Sequence, residues 1–150
     1  KKINIIDLIK KSLEFIKLSS KSTINLLNNT KSKFINGDED QLNRVFINII
    51  KNSEESFLDL LQKEPNFKGN IDIEIDDNND YIVIRIKDNG TGITDAKKAM
   101  TPYFTTKKTG TGLGLPIVTK IINEHSGNFT IKNKKEKQGT QVKISIPKYA

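Results

Sequence analysis

The sequence predicts an α+β domain: a two-layer α/β sandwich in which a mixed, mostly antiparallel sheet is covered on one face by about three helices. Apolar residues recur at helical spacing in three separated segments. Between and after them lie short runs in which isoleucine alternates with charged or polar residues, the pattern of half-buried strands. Helical and strand-like segments are interspersed rather than strictly alternating, which favours a mixed sheet over a doubly wound parallel one. With 150 residues, 35% of them hydrophobic and 29% charged, the chain has the composition of one soluble domain with a single core.

The elements follow in order. Asn4 to about Leu18 reads as a helix, because Ile5, Leu8, Ile9, Leu13 and Ile16 fall near helical spacing with lysines between them. Thr23 to Leu27 and Lys33 to Asn36 read as short strands separated by the turn-prone Asn28, Asn29 and Thr30. The acidic Asp38, Glu39 and Asp40 suit a helix N-terminus, and Leu42, Val45, Phe46, Ile49 and Ile50 then form one apolar stripe, so a long helix is expected to about Gln62. Ile71, Ile73 and Ile75 alternate with acidic residues, and after the turn-rich 77–80 segment Ile82, Ile84 and Ile86 complete an antiparallel hairpin. From Asp88 to about Leu115 the chain is rich in Gly, Thr and Lys, which predicts a long functional loop with at most one short helix near 94–100. Pro116 suits the first turn of a helix carrying Val118, Ile121 and Ile122 and ending near Ser126 and Gly127. Phe129 to Asn133 and Gln141 to Ile146 form a closing hairpin.

Several function classes are disfavoured by composition. Without cysteine there are no disulfides or thiolate metal sites, and the single histidine, His125, cannot build a zinc cluster alone. No apolar run is long enough to span a bilayer, and a chain starting at Lys1 reads as a piece of a longer one. The net charge of +7 invites a nucleic-acid reading, but the lysines are scattered, Arg44 and Arg85 are the only arginines, and no aromatic residues interleave a basic stripe. A solvated lysine-rich surface, able to attract an anionic nucleotide, is the favoured reading, and no nucleic-acid partner is expected.

Three constellations carry chemistry. Asn48 and Asn52 stand four residues apart on the long helix, so both carboxamides project from one edge. They could face one hard cation such as magnesium, which completes its shell with water and phosphate oxygens, or they could simply be solvent-facing helix residues. Asp88-Asn89-Gly90-Thr91-Gly92-Ile93 follows a strand directly. An aspartate at a buried strand end can accept from an exocyclic amine such as that of adenine, and Gly90 and Gly92 let a ring approach; a plain Asp-Asn-Gly turn is the competing reading. Gly110-Thr111-Gly112-Leu113-Gly114-Leu115 runs straight into a helix, where alternate glycines and the helix N-terminus can cradle a phosphate, although a glycine-rich linker would share its composition. It is neither the Walker loop nor the dinucleotide fingerprint. Between the glycine runs, Tyr103 and Phe104 could anchor a flap and Lys107 could reach a terminal phosphate.

Taken in order and spacing, these segments resemble the asparagine, first glycine, aromatic and second glycine boxes of the ATP-binding domain of sensor histidine kinases, from about Asp38 to Pro147. The "TTKKTGTGLGLPIV" and "INIIKNSEES" runs look most like the nitrogen-regulation type. The resemblance implies the Bergerat fold shared with gyrase, heat-shock chaperone and mismatch-repair ATPases, with ATP and Mg2+ as cofactors. It implies Asn52 as the magnesium ligand, Asn48 as a helper near the phosphates, Asp88 as the partner of the adenine amine, and Gly92 and Ile93 against the ring, with Gly90 among the nucleotide-binding residues. Thr105, Thr106, Lys107, Gly110, Thr111, Gly112, Leu113, Gly114 and Leu115 would form the lid and its phosphate contacts. Gly139-Thr140 matches the closing Gly-Thr, with Thr140 near the adenine-binding aspartate. Met100 stands where the aromatic box usually opens with phenylalanine, the 92–102 segment is slightly short, and Glu54 and Glu55 replace a basic residue common after the second asparagine.

Gyrase, chaperone and mismatch-repair relatives activate water with a glutamate one helical turn before the magnesium-binding asparagine. Here that position is Asn48, whose carboxamide cannot act as a general base, so slow hydrolysis and transfer to a presented nucleophile are expected. The family implies that this nucleophile is a histidine on a helical dimerisation domain N-terminal to Lys1. It further implies a homodimeric parent, a response-regulator receiver domain as partner, and a cytoplasmic domain whose parent can be anchored in the inner membrane. His125, near a helix C-terminus, is expected to be a surface or capping residue rather than the acceptor. A conformational ATPase, a nucleotide-binding regulatory module and a basic nucleic-acid binder are the competing functions.

Overall fold

A computed structural model describes residues 1–18, 21–92, 114–134 and 138–149. In chain order the elements are β1 (Lys2–Asn4), α1 (Ile5–Lys17), β2 (Thr23–Asn28), β3 (Phe34–Asn36), α2 (Glu39–Lys63), β4 (Asn70–Asp77), β5 (Tyr81–Asp88), α3 (Gly114–Glu124), β6 (Asn128–Asn133) and β7 (Thr140–Pro147). The expected short helix near 94–100 lies outside the described residues.

Both long helices start where a side chain can take their unpaired amide hydrogens. Asn4 Oδ1 accepts from the N–H groups of Ile6 and Asp7 at 3.1 Å each, and Asp38 Oδ1 accepts from Gln41 N at 3.0 Å. Such caps contribute about 1 kcal/mol each. Asn4 therefore ends β1 rather than lying inside a helix, and the predicted start shifts by one residue.

The main sheet has the order β2-β4-β5-β7-β6. The β4–β5, β5–β7 and β6–β7 pairs are antiparallel, whereas β2 runs parallel to β4, its chain returning by way of α2. β2 and β3 do not pair with each other despite the turn-prone residues between them. β3 instead pairs with β1 in a separate two-stranded sheet, and Ile35 bridges to Lys148 after β7.

Period-two alternation decides which face is covered. Ile71, Ile73 and Ile75 of β4, Ile82, Ile84 and Ile86 of β5, and Val142, Ile144 and Ile146 of β7 are buried in one core with α1, α2 and α3. The opposite face carries charge pairs: Arg85–Asp76 and Lys87–Glu74, each at 3.1 Å. Exposed pairs of this kind add little stability, but they keep that face polar. The expected architecture, one sheet face covered by three helices, is what forms.

Lys148 Nζ lies 2.7 Å from Asp77 Oδ2. This contact first, and the Thr30 hydroxyl second, hold the Asp77 carboxyl below its ordinary value of 3.8. A carboxyl depressed by folding contributes stability above its unfolded pKa and loses it as the pH falls through the folded one. Lys148→Met should therefore flatten the fall in stability below about pH 4, read as urea midpoints across that range.

α2 and α3 are also joined at their ends. His125, just past α3, is half-buried; its Nδ1 faces the Ile121 carbonyl oxygen at 2.7 Å, and its Nε2 accepts from the Asp38 N–H at 3.0 Å. The pattern requires the proton on Nδ1. His125 does cap its own helix as expected, and it additionally tethers that helix to the N-terminus of α2. Ser126 then turns the chain at φ 60°.

Candidate functional site

The C-terminal end of β5 and the middle of α2 meet over a cleft lined by Ile49, Asn52, Ser53, Ser56, Ile86, Asp88, Gly92, Leu115, Ile131, Thr140 and Val142. Three main-chain segments converge here because β5 is central in the sheet. Its last residue, Asp88, lies beside β7, whose first residue is Thr140, while α2 crosses the same face.

Asp88 is 7% exposed, and among the described residues its carboxylate is held by three donors. Oδ1 accepts from Gly90 N at 2.9 Å and from Thr140 N at 3.1 Å, and Oδ2 accepts from Ser53 Oγ at 2.6 Å. A carboxylate offers about four acceptor positions, so among the described residues about one is left, on Oδ2, where the group lines the cleft. A further N–H donor is the chemical partner that completes the set. Apolar side chains from Ile49, Ile86, Leu115, Ile131 and Val142 surround this point, which suits a flat ring bearing an amine.

The turn after Asp88 is anchored on both sides. Asn89 Oδ1 accepts from Asn70 N at 2.7 Å and its Nδ2 donates to the Lys68 carbonyl at 3.0 Å. Thr91 N donates to Ser56 Oγ at 2.6 Å. At Gly90 a Cβ would stand 2.1 Å from Ser56 Oγ, so only glycine allows this approach of turn and helix. Lys134 Nζ donates to the Asp88 carbonyl at 3.2 Å. These bonds anchor the Asp88-Asn89-Gly90 turn to β4, α2 and Lys134.

The start of α3 closes the cleft from a third side. A Cβ on Gly114 would lie 3.4 Å from Asn52 Nδ2, ordinary contact, so the helix N-terminus abuts the Asn52 carboxamide. A helix N-terminus favours negative charge, and Asn52 supplies a carbonyl oxygen beside it. Among the described residues no three His, Cys, Asp or Glu side chains form a metal-holding group. Magnesium needs no such cage where phosphates supply oxygens, so Asn52 fits the role of a single protein ligand. The cavity itself is about 40 Å3, well under the roughly 300 Å3 of a ligand pocket.

Of the residues singled out from sequence, Asn52, Asp88, Gly92, Leu115 and Thr140 line one cleft, with Gly90 and Gly114 against it. Asn48 is half-buried on α2 but does not line it. Ile93, Thr105, Thr106, Lys107, Gly110, Thr111, Gly112 and Leu113 lie outside the described residues. Ser53 and Ser56, both 6% exposed, were not anticipated. The available signal was two hydroxyl residues interrupting the apolar stripe of α2 between Ile49 and Leu60.

Backbone comparison sets the class. The chain superposes on the catalytic domain of histidine kinase ThkA with a TM-score of 0.81 at 25% identity, covering 99% of this chain and 95% of that one. Mycobacterial sensor histidine kinase MprB gives a TM-score of 0.80 at 20% identity, with 99% and 97% covered. The fold is thus that of histidine kinase catalytic domains, the Bergerat fold. The chain belongs to the family of histidine kinase-, DNA gyrase B- and HSP90-like ATPases, whose model matches residues 37–150. Sporulation kinase A of Bacillus subtilis is 41% identical over 119 residues, covering 78% of this chain and 18% of the kinase. A putative NtrY-like sensor histidine kinase of Rickettsia prowazekii is 33% identical over 148 residues, covering 97% of this chain and 24% of that protein. The chain thus spans about a quarter or less of the length of these relatives. Among the described residues no helix is long and apolar enough to cross a membrane.

Proposed function

We propose that this domain binds Mg-ATP and serves as the phosphoryl donor of a two-component sensor kinase, the acceptor being a histidine on a dimerisation domain of the same parent protein and the onward acceptor a response-regulator receiver domain. The observation that carries this reading is Asp88: a buried carboxylate with, among the described residues, three acceptor positions filled and about one left toward an apolar cleft, alongside Asn52 and the start of α3. ATP bound with Mg2+ supplies the transferable phosphoryl group and the neutralisation of its charge.

The chain's own residues supply binding and orientation. Asp88 and Thr140, tied together by the Thr140 N–H, hold the base end, and the apolar walls exclude water from it. The Asn52 carboxamide holds the metal end, beside the positive end of α3. Asn48, one turn earlier, is a helper at the phosphate end; as a carboxamide it takes no proton from water, which favours a kinase over a steady ATPase. Ile93, Thr105, Thr106, Lys107 and 110–113 are assigned the lid and phosphate contacts on the strength of their motif. The solved complex of histidine kinase ThkA with the response regulator TrrA, in which the kinase is 22% identical to this chain, supports a receiver-domain partner of the same kind. A homodimeric parent and a cytoplasmic position beneath an inner-membrane anchor belong to the same proposal.

Calorimetry with a non-hydrolysable ATP analogue tests the assignment. Saturable binding is expected, strengthened by Mg2+, and Asn52→Ala should remove most of that strengthening, about ten-fold in affinity. Binding that ignores Mg2+ in the parent sequence would argue against Asn52 as ligand. Incubation with γ-labelled ATP should leave His125 unlabelled, because both its ring nitrogens are engaged. Label on His125, or steady hydrolysis lost in Asn48→Ala, would favour another function.

A further inference from the structure

Ser53 sits on α2 with its hydroxyl directed at the strand end that forms the cleft. It is 6% exposed, lines the cleft with Asp88, and donates its hydrogen to Asp88 Oδ2 at 2.6 Å. A hydroxyl carries one hydrogen and two lone pairs. The three donors on Asp88 mark that group as an acceptor, so the Ser53 hydrogen lies on the line to Oδ2 and only lone pairs of Ser53 Oγ remain for the cleft. One turn further along α2, Ser56 holds Thr91 N and keeps the 88–91 turn from sliding relative to Ser53.

We infer that Ser53 is a positioning and specificity-determining residue for the nucleobase. By giving its hydrogen to Asp88 it fixes the remaining Oδ2 lone pair toward the cleft, and the side chains of Asp88 and Ser53 then present acceptors only to it. A base bearing an exocyclic amine finds its partner there; a base with a carbonyl oxygen at the same position meets lone pairs on both side chains and loses its hydrogen bond to water. Without the hydroxyl, Oδ2 is free to turn, and the vacated space admits a water whose hydrogens can satisfy a carbonyl. Ser53 thus acts through Asp88, and the inference rests on the reading that Asp88 receives the base.

The test is the ratio of affinities for ADP and inosine diphosphate, which differ in presenting an amine or a carbonyl at that position and an acceptor or an N–H at the ring nitrogen beside it, measured by calorimetry with Mg2+ in the full chain. Wild type should favour ADP strongly. Ser53→Ala should weaken ADP about ten-fold and leave inosine diphosphate unchanged or tighter, so the ratio falls about ten-fold or more. Ser53→Thr, which keeps a hydroxyl, should restore most of the ratio. Should Ser53→Ala fail to fold, Ser53→Cys carries the same test, since a thiol fills the space but donates weakly, and the ratio should again fall. A parallel loss for both nucleotides would assign Ser53 a merely structural role and overturn the inference, as would an unchanged ratio. Wild type that binds ADP without discriminating against inosine diphosphate would overturn it while leaving nucleotide binding intact; wild type that binds neither would overturn the nucleotide reading as well.

Discussion

Asp88→Asn should lower the affinity for an ATP analogue by at least about 100-fold, roughly 2.7 kcal/mol, while the domain stays folded. The side chain is nearly isosteric, and its amide oxygen can keep the place of Oδ1, accepting from Gly90 N and Thr140 N. The amide nitrogen then takes the place of Oδ2. Ser53 must reverse and accept from it, and the second amide hydrogen points into the cleft where a lone pair had been. An adenine amine there would face a donor, and a buried donor without an acceptor costs about 1–3 kcal/mol beyond the lost bond. Calorimetry reads the affinity, and circular dichroism with urea denaturation checks the fold. Undiminished adenine-nucleotide binding by a folded Asp88→Asn protein would remove Asp88 from the site. The same reversal should improve the relative standing of inosine diphosphate, a change of sign that a general loosening of the cleft would not produce.

How much of this could be read from the chain depends on the range of the interactions involved. The β4–β5 hairpin was legible because its partners are adjacent and isoleucine recurs at every second position in both strands, from Ile71 to Ile75 and from Ile82 to Ile86. The partner of β2 was not: Asn28, Asn29 and Thr30 promise a local return, but Thr23–Asn28 aligns in parallel with Asn70–Asp77 across the whole of α2, a choice made by the sheet. β1 was missed because three residues carry no period of their own, and its pairing with Phe34–Asn36 is its only definition as a strand. In the site, Asp88, Gly139 and Thr140 could be read from motif order, since the backbone conformations involved demand particular residue types. Ser53 and Ser56 showed only as an interruption of the apolar stripe, because a serine within a helix is neutral by propensity and its role arises only when β5 brings Asp88 and Thr91 beneath it. The same limit applies to Asn48, whose spacing to Asn52 places both on one helix edge but does not say how far along that edge the cleft extends.

Gly139→Ala should be the most damaging single-methyl change in the site, costing about 3 kcal/mol or more and lowering the melting temperature by about 10 °C. Gly139 has φ 130°, outside the regions open to residues with a Cβ. A Cβ there would also stand 1.9 Å from the Asp88 carbonyl oxygen, 2.9 Å from its carbonyl carbon and 3.1 Å from Asn89 Cα. All three are main-chain atoms at the end of a central strand, so no side-chain rotation relieves the contact. Relief must come from shifting either the start of β7, which carries Thr140, or the end of β5, which carries Asp88. Either shift stretches the Thr140 N to Asp88 Oδ1 bond, so nucleotide binding should fall together with stability, unlike in Asp88→Asn, where binding falls alone. Nucleotide that binds only the folded state should raise the melting temperature of Gly139→Ala by less than it raises that of wild type at equal concentration. A melting temperature within about 2 °C of wild type would mean that the strand ends give way at little cost, and the rigidity attributed to the Asp88 carboxylate would then have to come from Ser53 and Gly90 alone.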